Sequence, residues 1–329
     1  MLNAYAAFGL RLDSALALPE LPPADADTPR IALHRSGALA PISGLTRVGA
    51  ATYAGAADLE LWRAGTRWRL TTSDAGSWDV DPDGARLDWY APPGAREAVA
   101  RYDLLGRVLP LVLHARGALC VHGSSVAIAG RGAAFVGARG RGKSTLALAL
   151  LEQGALLAGD DVAPLWPDAG DGAARLGPGA PCARVWPEAA AVLRVAAGAV
   201  PSPADPSAKR LLPALPSAQR LTSDVPLGGI YFISPVVADP ARPAAERIPI
   251  GGARAALALV AHATSARLLA ADAGAALVDR AAALVAQVPV WELRLTRDLG
   301  RLPEAAATIA AWIGASGAAS SRELVRGAA

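Results

Sequence analysis

The sequence predicts an α/β protein: a mixed sheet with flanking helices built around a glycine-rich loop, preceded by a smaller β-rich domain. Three observations carry this expectation. The first hundred residues contain short strand-like runs punctuated by turn sequences and no long helical pattern. From residue 118 onward, short apolar runs alternate with stretches of helical periodicity. The segment Gly137-Ala138-Arg139-Gly140-Arg141-Gly142-Lys143-Ser144 joins one such apolar run to a helical one. A chain of 329 residues has room for two domains. The expected division is a β-rich domain at 1–95, a connecting helix at 96–117, the loop-bearing domain at 118–315 and a flexible tail at 316–329.

In the N-terminal part, strands are expected at Tyr5 to Leu12, Leu59 to Arg63, Trp68 to Thr72 and Leu87 to Tyr90. Turn chemistry at Asp74-Ala75-Gly76 and Asp81-Pro82-Asp83-Gly84 separates them, and the Pro-rich stretch Pro19 to Pro29 reads as a loop. Ala98, Tyr102, Leu105, Leu109 and Val112 recur at helical spacing, so Arg96 to Ala115 is expected to be an amphipathic helix. Two strands follow, Ala118 to Ala129 and Ala133 to Val136, with Gly130-Arg131-Gly132 as the turn. Lys143 to Gln153 reads as a helix closed by Gly154, and Ala155 to Ala158 as a buried strand ending at Gly159-Asp160-Asp161. Residues 201–224 are rich in Pro, Ser and Ala around Lys209 and are expected to form a long mobile loop. Beyond it the pattern gives a strand at Ile230 to Ile233, helices at Ala253 to Ala263 and Ala273 to Val288, a strand at Val290 to Leu295 and a helix at Pro303 to Ile313.

Composition narrows the class. With 53% hydrophobic and 19% charged residues the chain is too apolar for a disordered tail. Its longest uncharged runs are broken by Gly, Ser or Pro, so no membrane span is expected; the N-terminus opens without a basic region and Arg11 and Asp13 break any apolar run, so no signal peptide is expected and the cytoplasm is the expected compartment. Two cysteines, Cys120 and Cys182, exclude a disulfide framework and a four-Cys zinc site. The net charge of +3 is spread without basic blocks, so nucleic acid is not an expected partner. A homo-oligomer is compatible with the sequence. Of the 32 basic residues only Lys143 and Lys209 are lysines. In a chain that uses arginine wherever the surface tolerates it, those two are candidates for sites that need a compact ammonium.

Residues 137–144 match G-x-x-x-x-G-K-[ST], the phosphate-binding loop, in the strand-to-helix context that the motif requires. The backbone N–H groups from Gly137 to Thr145 would surround a β-phosphate, Lys143 would reach the β- and γ-phosphates, and the Ser144 hydroxyl would ligate Mg²⁺. Arg139 and Arg141 are read either as exposed loop side chains or as extra charge for a phosphate or acidic substrate. Asp160 and Asp161, at the end of an apolar strand, fit a divided role in which one holds the Mg²⁺ shell and the other accepts a proton from an attacking hydroxyl; a solvated Asp-Asp turn is the alternative. His122 lies in an apolar stretch whose strand returns through a turn into the loop strand, where an imidazole could hold a catalytic Asp or a phosphate oxygen. His34, His114 and His262 have no comparable context. Lys209 is either a surface lysine or a cation that closes over the phosphates.

The run VHGSSVAIAGRGAAFVGARGRGKSTLALALLEQGALLAGDDVAPL resembles the core of the HPr kinase/phosphorylase family, and more closely its relatives associated with ribosomal-peptide modification. Those proteins carry a His on a strand, a phosphate loop whose first glycine follows fifteen residues later (137 − 122), and an Asp pair seventeen residues beyond the lysine (160 − 143). The resemblance is strong over 118–165 and weaker to about residue 305. It implies an ATP- or other nucleoside-triphosphate- and Mg-dependent kinase acting on a hydroxyl, with Ser144 and Asp160 on the metal side, Asp161 as base and His122 supporting it. The acceptor it implies is Ser in a peptide or small protein, with a lasso-type precursor as an example. The chain departs from the bifunctional enzymes at Arg139-Gly140-Arg141-Gly142-Lys143-Ser144-Thr145 and lacks their downstream glycine-rich signature, so neither phosphorylase activity nor HPr as substrate is expected. A small-molecule kinase resembling phosphoenolpyruvate carboxykinase in outline, and a nucleotide-sensing module without catalysis, are the alternatives.

Overall fold

A computed structural model describes residues 2–25, 28–53, 56–81, 83–167, 172–195, 198–201, 209–213 and 215–326. The first eight strands are β1 (Asn3–Ala7), β2 (Leu10–Ser14), β3 (Arg30–Ser36), β4 (Thr46–Tyr53), β5 (Ala56–Ala64), β6 (Arg67–Thr72), β7 (Gly76–Val80) and β8 (Arg86–Tyr90). They form one sheet in the order β1-β2-β3-β8-β7-β6-β5-β4. The strand expected at Tyr5 to Leu12 is two strands, because Phe8 and Gly9 take φ of 57° and 67° and fold the chain into a tight hairpin with Ala7 opposite Leu10. Strands β3, β4 and β7 were not expected. β3 pairs in parallel with both β2 and β8, partners brought in by long connections and invisible to a local pattern. The stretch from Pro19 stays out of the sheet apart from a bridge between Tyr5 and Pro23, with residues 26 and 27 outside the described residues.

The expected connecting helix forms as α1 (Glu97–Asp103) and α2 (Leu109–Ala115), joined by a π-helical turn over Leu104–Val108. The second sheet uses β9 (Leu119–Val121), β10 (Gly123–Ile128), β11 (Arg131–Val136), β12 (Leu156–Gly159), β13 (Ala163–Trp166) and β14 (Arg175–Leu176). Between β11 and β12 runs helix α3 (Lys143–Leu151). Then come β15 (Ala183–Val185), α4 (Pro187–Val192), β16 (Val200–Pro201), β17 (Arg210–Leu212), β18 (Val225–Val236), β19 (Ala245–Pro249), α5 (Gly252–Ala261), α6 (Ala266–Gln287), β20 (Val290–Thr296) and α7 (Leu302–Arg326). The strand expected at Ala118 to Ala129 is split at His122, β9 pairing with β13 and β10 with β11. The turn between β10 and β11 is Ala129-Gly130, both at positive φ, rather than Gly130-Arg131-Gly132, whose last two residues lie in β11.

The loop expected over 201–224 contains β17, which pairs with β15 and β16; residues 202–208 and 214 lie outside the described residues. Helix α6 starts at Ala266 and breaks helical geometry at Ala273, where the sequence pattern placed its start. Helix α7 passes the expected end at Ile313 and continues to Arg326 through part of the expected tail. Among the described residues no helix is long and apolar enough to cross a membrane, which says nothing of a β-barrel.

Strand alternation sorts the core of the second sheet into two faces. Ala133 and Phe135 of β11, with Tyr231 and Ile233 of β18, pack against Leu146 and Leu150 of α3 and Ile309 of α7. Ala134 and Val136, with Ile230, face the other way and join a core that contains Leu259 of α5 and Leu269 and Leu277 of α6. That core continues through Leu104, Leu109 and Val112 into Leu33, Leu70, Trp78 and Trp89 of the first sheet. The two sheets therefore share one buried apolar body, with the 97–115 helical segment inside it.

Candidate active site

Strand β10 runs antiparallel between β11 and β12, so its first residues lie where both neighbours end: Gly123 opposite Val136 and Ser125 opposite Gly159. This topology collects the loop after β11, the acids after β12, and His122 and Ser124 on one sheet edge. The acidic strand β12 and the loop strand β11 are not neighbours but flank β10, which runs antiparallel to both. The two glycines Gly159 and Gly179 meet backbone to backbone, since a Cβ on Gly159 would lie 2.8 Å from the Gly179 Cα. The Gly179 N–H donates to the Ala158 carbonyl at 2.7 Å, and the Gly179 carbonyl accepts from Phe8 at 3.0 Å. The N-terminal hairpin thus braces the segment that carries the acids.

Gly142, at φ 92°, ends the phosphate-type loop and begins α3 in a left-handed conformation that a β-carbon would strain. Lys143 is 7% exposed and its ammonium lies across the loop, donating to the Gly137 carbonyl at 2.7 Å and the Ala138 carbonyl at 3.1 Å. An ammonium has three N–H donors, so one remains for a ligand. Burial pushes its pKa down to about 8, against the pull of Asp160 and Asp161. Arg139, Gly140, Gly142, Ser144 and Thr145 line the same cleft, whereas Arg141 is exposed outside it.

The adjacent acids are held in different ways. Asp160 is buried, and its Oδ1 accepts from Ser124 Oγ at 2.5 Å and Ser144 Oγ at 2.8 Å while its Oδ2 accepts from the Arg184 backbone N–H at 2.9 Å. Asp161 sits at φ 73°, a region that Asp tolerates better than most residues. Its Oδ2 meets the Arg184 guanidinium at 2.5 Å, and its Oδ1 and backbone carbonyl lie 3.2 and 3.1 Å from His122 Nδ1. These contacts fit the tautomer with the proton on Nδ1. Burial raises the Asp161 carboxyl, but Arg184 and His122 together outweigh it and hold the group well below the usual carboxylate range.

Arg184 was missed by the sequence reading, yet its backbone binds one acid and its side chain the other. Its guanidinium also lies 4.5 Å from the centre of the Tyr102 ring, which Arg107 approaches at 5.2 Å. In a chain with so many arginines no local signal distinguishes it. His262, also passed over, lines the cleft, and its backbone carbonyl accepts from the His122 N–H at 2.8 Å. Lys209 faces the same space, 5.9 Å from the Trp186 ring, and burial lowers its pKa despite nearby Asp160. The cleft holds about 840 Å³, within the range of small-molecule sites. His34 lies on β3, and His114 packs between Trp68 and Arg280, both away from the cleft.

No family model matches this chain, and no curated protein does. Among solved structures it is similar to the Hpr(Ser) kinase/phosphatase from Coxiella burnetii, at 16% identity and a TM-score of 0.28 over 62% of this chain and 97% of that one. A superposition that loose carries no argument about activity.

Proposed function

We propose that this protein is a kinase that uses a nucleoside triphosphate, ATP by preference, and Mg²⁺ to phosphorylate a hydroxyl, in the first instance Ser of a peptide or small protein. One observation carries the reading: a strand-loop-helix phosphate cradle whose Ser144 hydroxyl is 2.8 Å from a buried carboxylate, with a second carboxylate next in sequence in the same cleft. The sequence resemblance to HPr-kinase-related proteins points the same way. Among the described residues no group of three or more His, Cys, Asp or Glu could hold a metal. An all-oxygen pair of Ser144 and Asp160 nevertheless suits Mg²⁺, which takes one or two protein ligands and fills its shell with water and phosphate. When bound, Mg²⁺ would neutralise charge on the β- and γ-phosphates.

The chain's own residues do the rest. The N–H groups at the start of α3 and the third Lys143 proton orient the phosphates for in-line transfer. Asp161 accepts a hydrogen bond from the incoming hydroxyl and aligns it. Its depressed proton affinity makes it a weak base, so it takes the proton late, once bond formation has acidified the hydroxyl; a loose transition state tolerates this. His122 fixes the carboxylate and the strained backbone of Asp161 together. The same Arg184–Asp161 ion pair favours a second reading, a nucleotide sensor in which the acid is never released for transfer. Incubating the protein with Mg-ATP and Ser-containing peptides, lasso-type precursors included, and weighing the products by mass spectrometry separates the two. Phosphopeptide that disappears with Lys143→Ala supports the kinase; nucleotide binding without any transfer supports the sensor.

A further inference from the structure

The cleft carries more positive charge than a nucleotide explains. Arg139, Lys143, Arg184, Lys209 and Arg267 line it against two carboxylates, Asp160 and Asp161, while Arg107, also on its wall, is neutralised by an ion pair with the buried Asp103. Both carboxylates are already satisfied, Asp160 by two hydroxyls and an N–H, Asp161 by Arg184 and His122. A Mg-bound triphosphate brings about two net negative charges, which Lys143 and Lys209 would answer on the loop side. Arg267 is exposed on the first turn of α6, in the stretch Ala261 to Leu268 that forms another part of the cleft lining. Among the described residues it has no carboxylate partner. The half-exposed Trp186 contributes an aromatic face to the same lining.

We infer that the cleft takes an acidic acceptor peptide, with Asp or Glu flanking the receiving Ser, and that Arg267 is its charge-reading residue. This rests on the kinase reading for the word acceptor, but the binding claim is measurable without transfer. Complementary charge here would act on encounter and on selection against basic peptides, which Arg267 would repel.

The test uses dye-labelled Ser peptides of one length with Glu, Gln or Lys at the four flanking positions, titrated with the full chain by fluorescence anisotropy in the presence of a non-hydrolysable Mg-ATP analogue. The Glu peptide is expected to bind at least about tenfold tighter than the Gln peptide, and the Lys peptide weakest. Arg267→Glu should abolish the preference while changing the Kd of the nucleotide analogue less than about twofold. Arg254→Glu, the same reversal near the start of α5, controls for general charge and should keep the preference. Equal affinities for the Glu and Gln peptides, no peptide binding, or a preference that survives Arg267→Glu or is lost equally in Arg254→Glu overturns the inference. Acidic-peptide binding that depends on Arg267 but is followed by no phosphate transfer from Mg-ATP would leave it standing and remove the kinase reading instead.

Discussion

Replacing Lys143 by Met should stabilise the free protein while disabling the proposed nucleotide site. The charged ammonium is 7% exposed, and burial lowers its pKa from the ordinary 10.5 to about 8. At neutral pH the folded protein therefore holds a proton it binds more weakly than the unfolded chain does, at a cost of about 3 kcal/mol. Met keeps the apolar stem and removes the charge, but forfeits the hydrogen bonds to the Gly137 and Ala138 carbonyls, worth about 1 kcal/mol each. The net expectation is a gain of about 1 kcal/mol at pH 7. The sign with pH is fixed by linkage: between pH 8 and 10.5 the unfolded chain binds more protons at this site than the folded one, so wild-type stability rises with pH there. The Met variant lacks that rise, and its advantage should shrink by about 2 kcal/mol between pH 7 and about pH 9.5, becoming a deficit. Urea denaturation of both proteins at the two pH values, with nucleotide titration alongside, measures this. A wild-type-minus-variant difference that does not change with pH would refute the claim that the ammonium is held against a burial penalty.

Asp160→Asn should raise the Mg²⁺ requirement for nucleotide binding, whereas Asp161→Asn should spare binding and lower phosphoryl transfer by about a hundredfold or more; equilibrium titration and single-turnover assays check the split, and swapped outcomes would exchange the roles. Lys209→Ala should lower turnover about tenfold with little change in Tm, and Lys209→Arg should restore it only in part, since a planar guanidinium does not reproduce a compact ammonium; equal turnover in all three proteins would make Lys209 a surface residue. Gly179→Ala should cost about 2 kcal/mol or more in denaturant unfolding, because its Cβ would stand 2.9 Å from the Val162 carbonyl oxygen and 3.0 Å from the Gly159 Cα, and should weaken Mg-nucleotide binding through Asp160; an unchanged stability would show that the segment gives way freely.

Much of the lining of the candidate cleft is legible in the sequence, and each legible part is local. The loop from Gly137 to Ser144 is set by glycines that permit its turns and a lysine beside a helix start, all within eight residues. The same holds for α3, ended near Gly154 at φ 80°, and for the acids after a short apolar strand. Where the reading failed, partners lay far away in sequence. Strand β3 is stabilised by β2 and β8, and β10 inserts between two strands that run the other way, a pairing no periodicity reveals. The turn at Phe8-Gly9 went unseen because an apolar residue occupies a positive-φ position there, supported by the packing of Phe8 in the shared core.

By itself, then, the sequence determined which chemical groups are present and which short segments must turn, coil or extend, since those depend on φ/ψ limits and hydrogen bonds between near neighbours. Tertiary structure alone decided their company. Arg184, 23 residues beyond Asp161, became the partner of both acids. Ser124 came to share Asp160 with Ser144, and His262 to hold the backbone of His122. Such contacts form only when burial of a common core outweighs the entropy of closing long loops, and that balance is a property of the whole chain rather than of any segment in it.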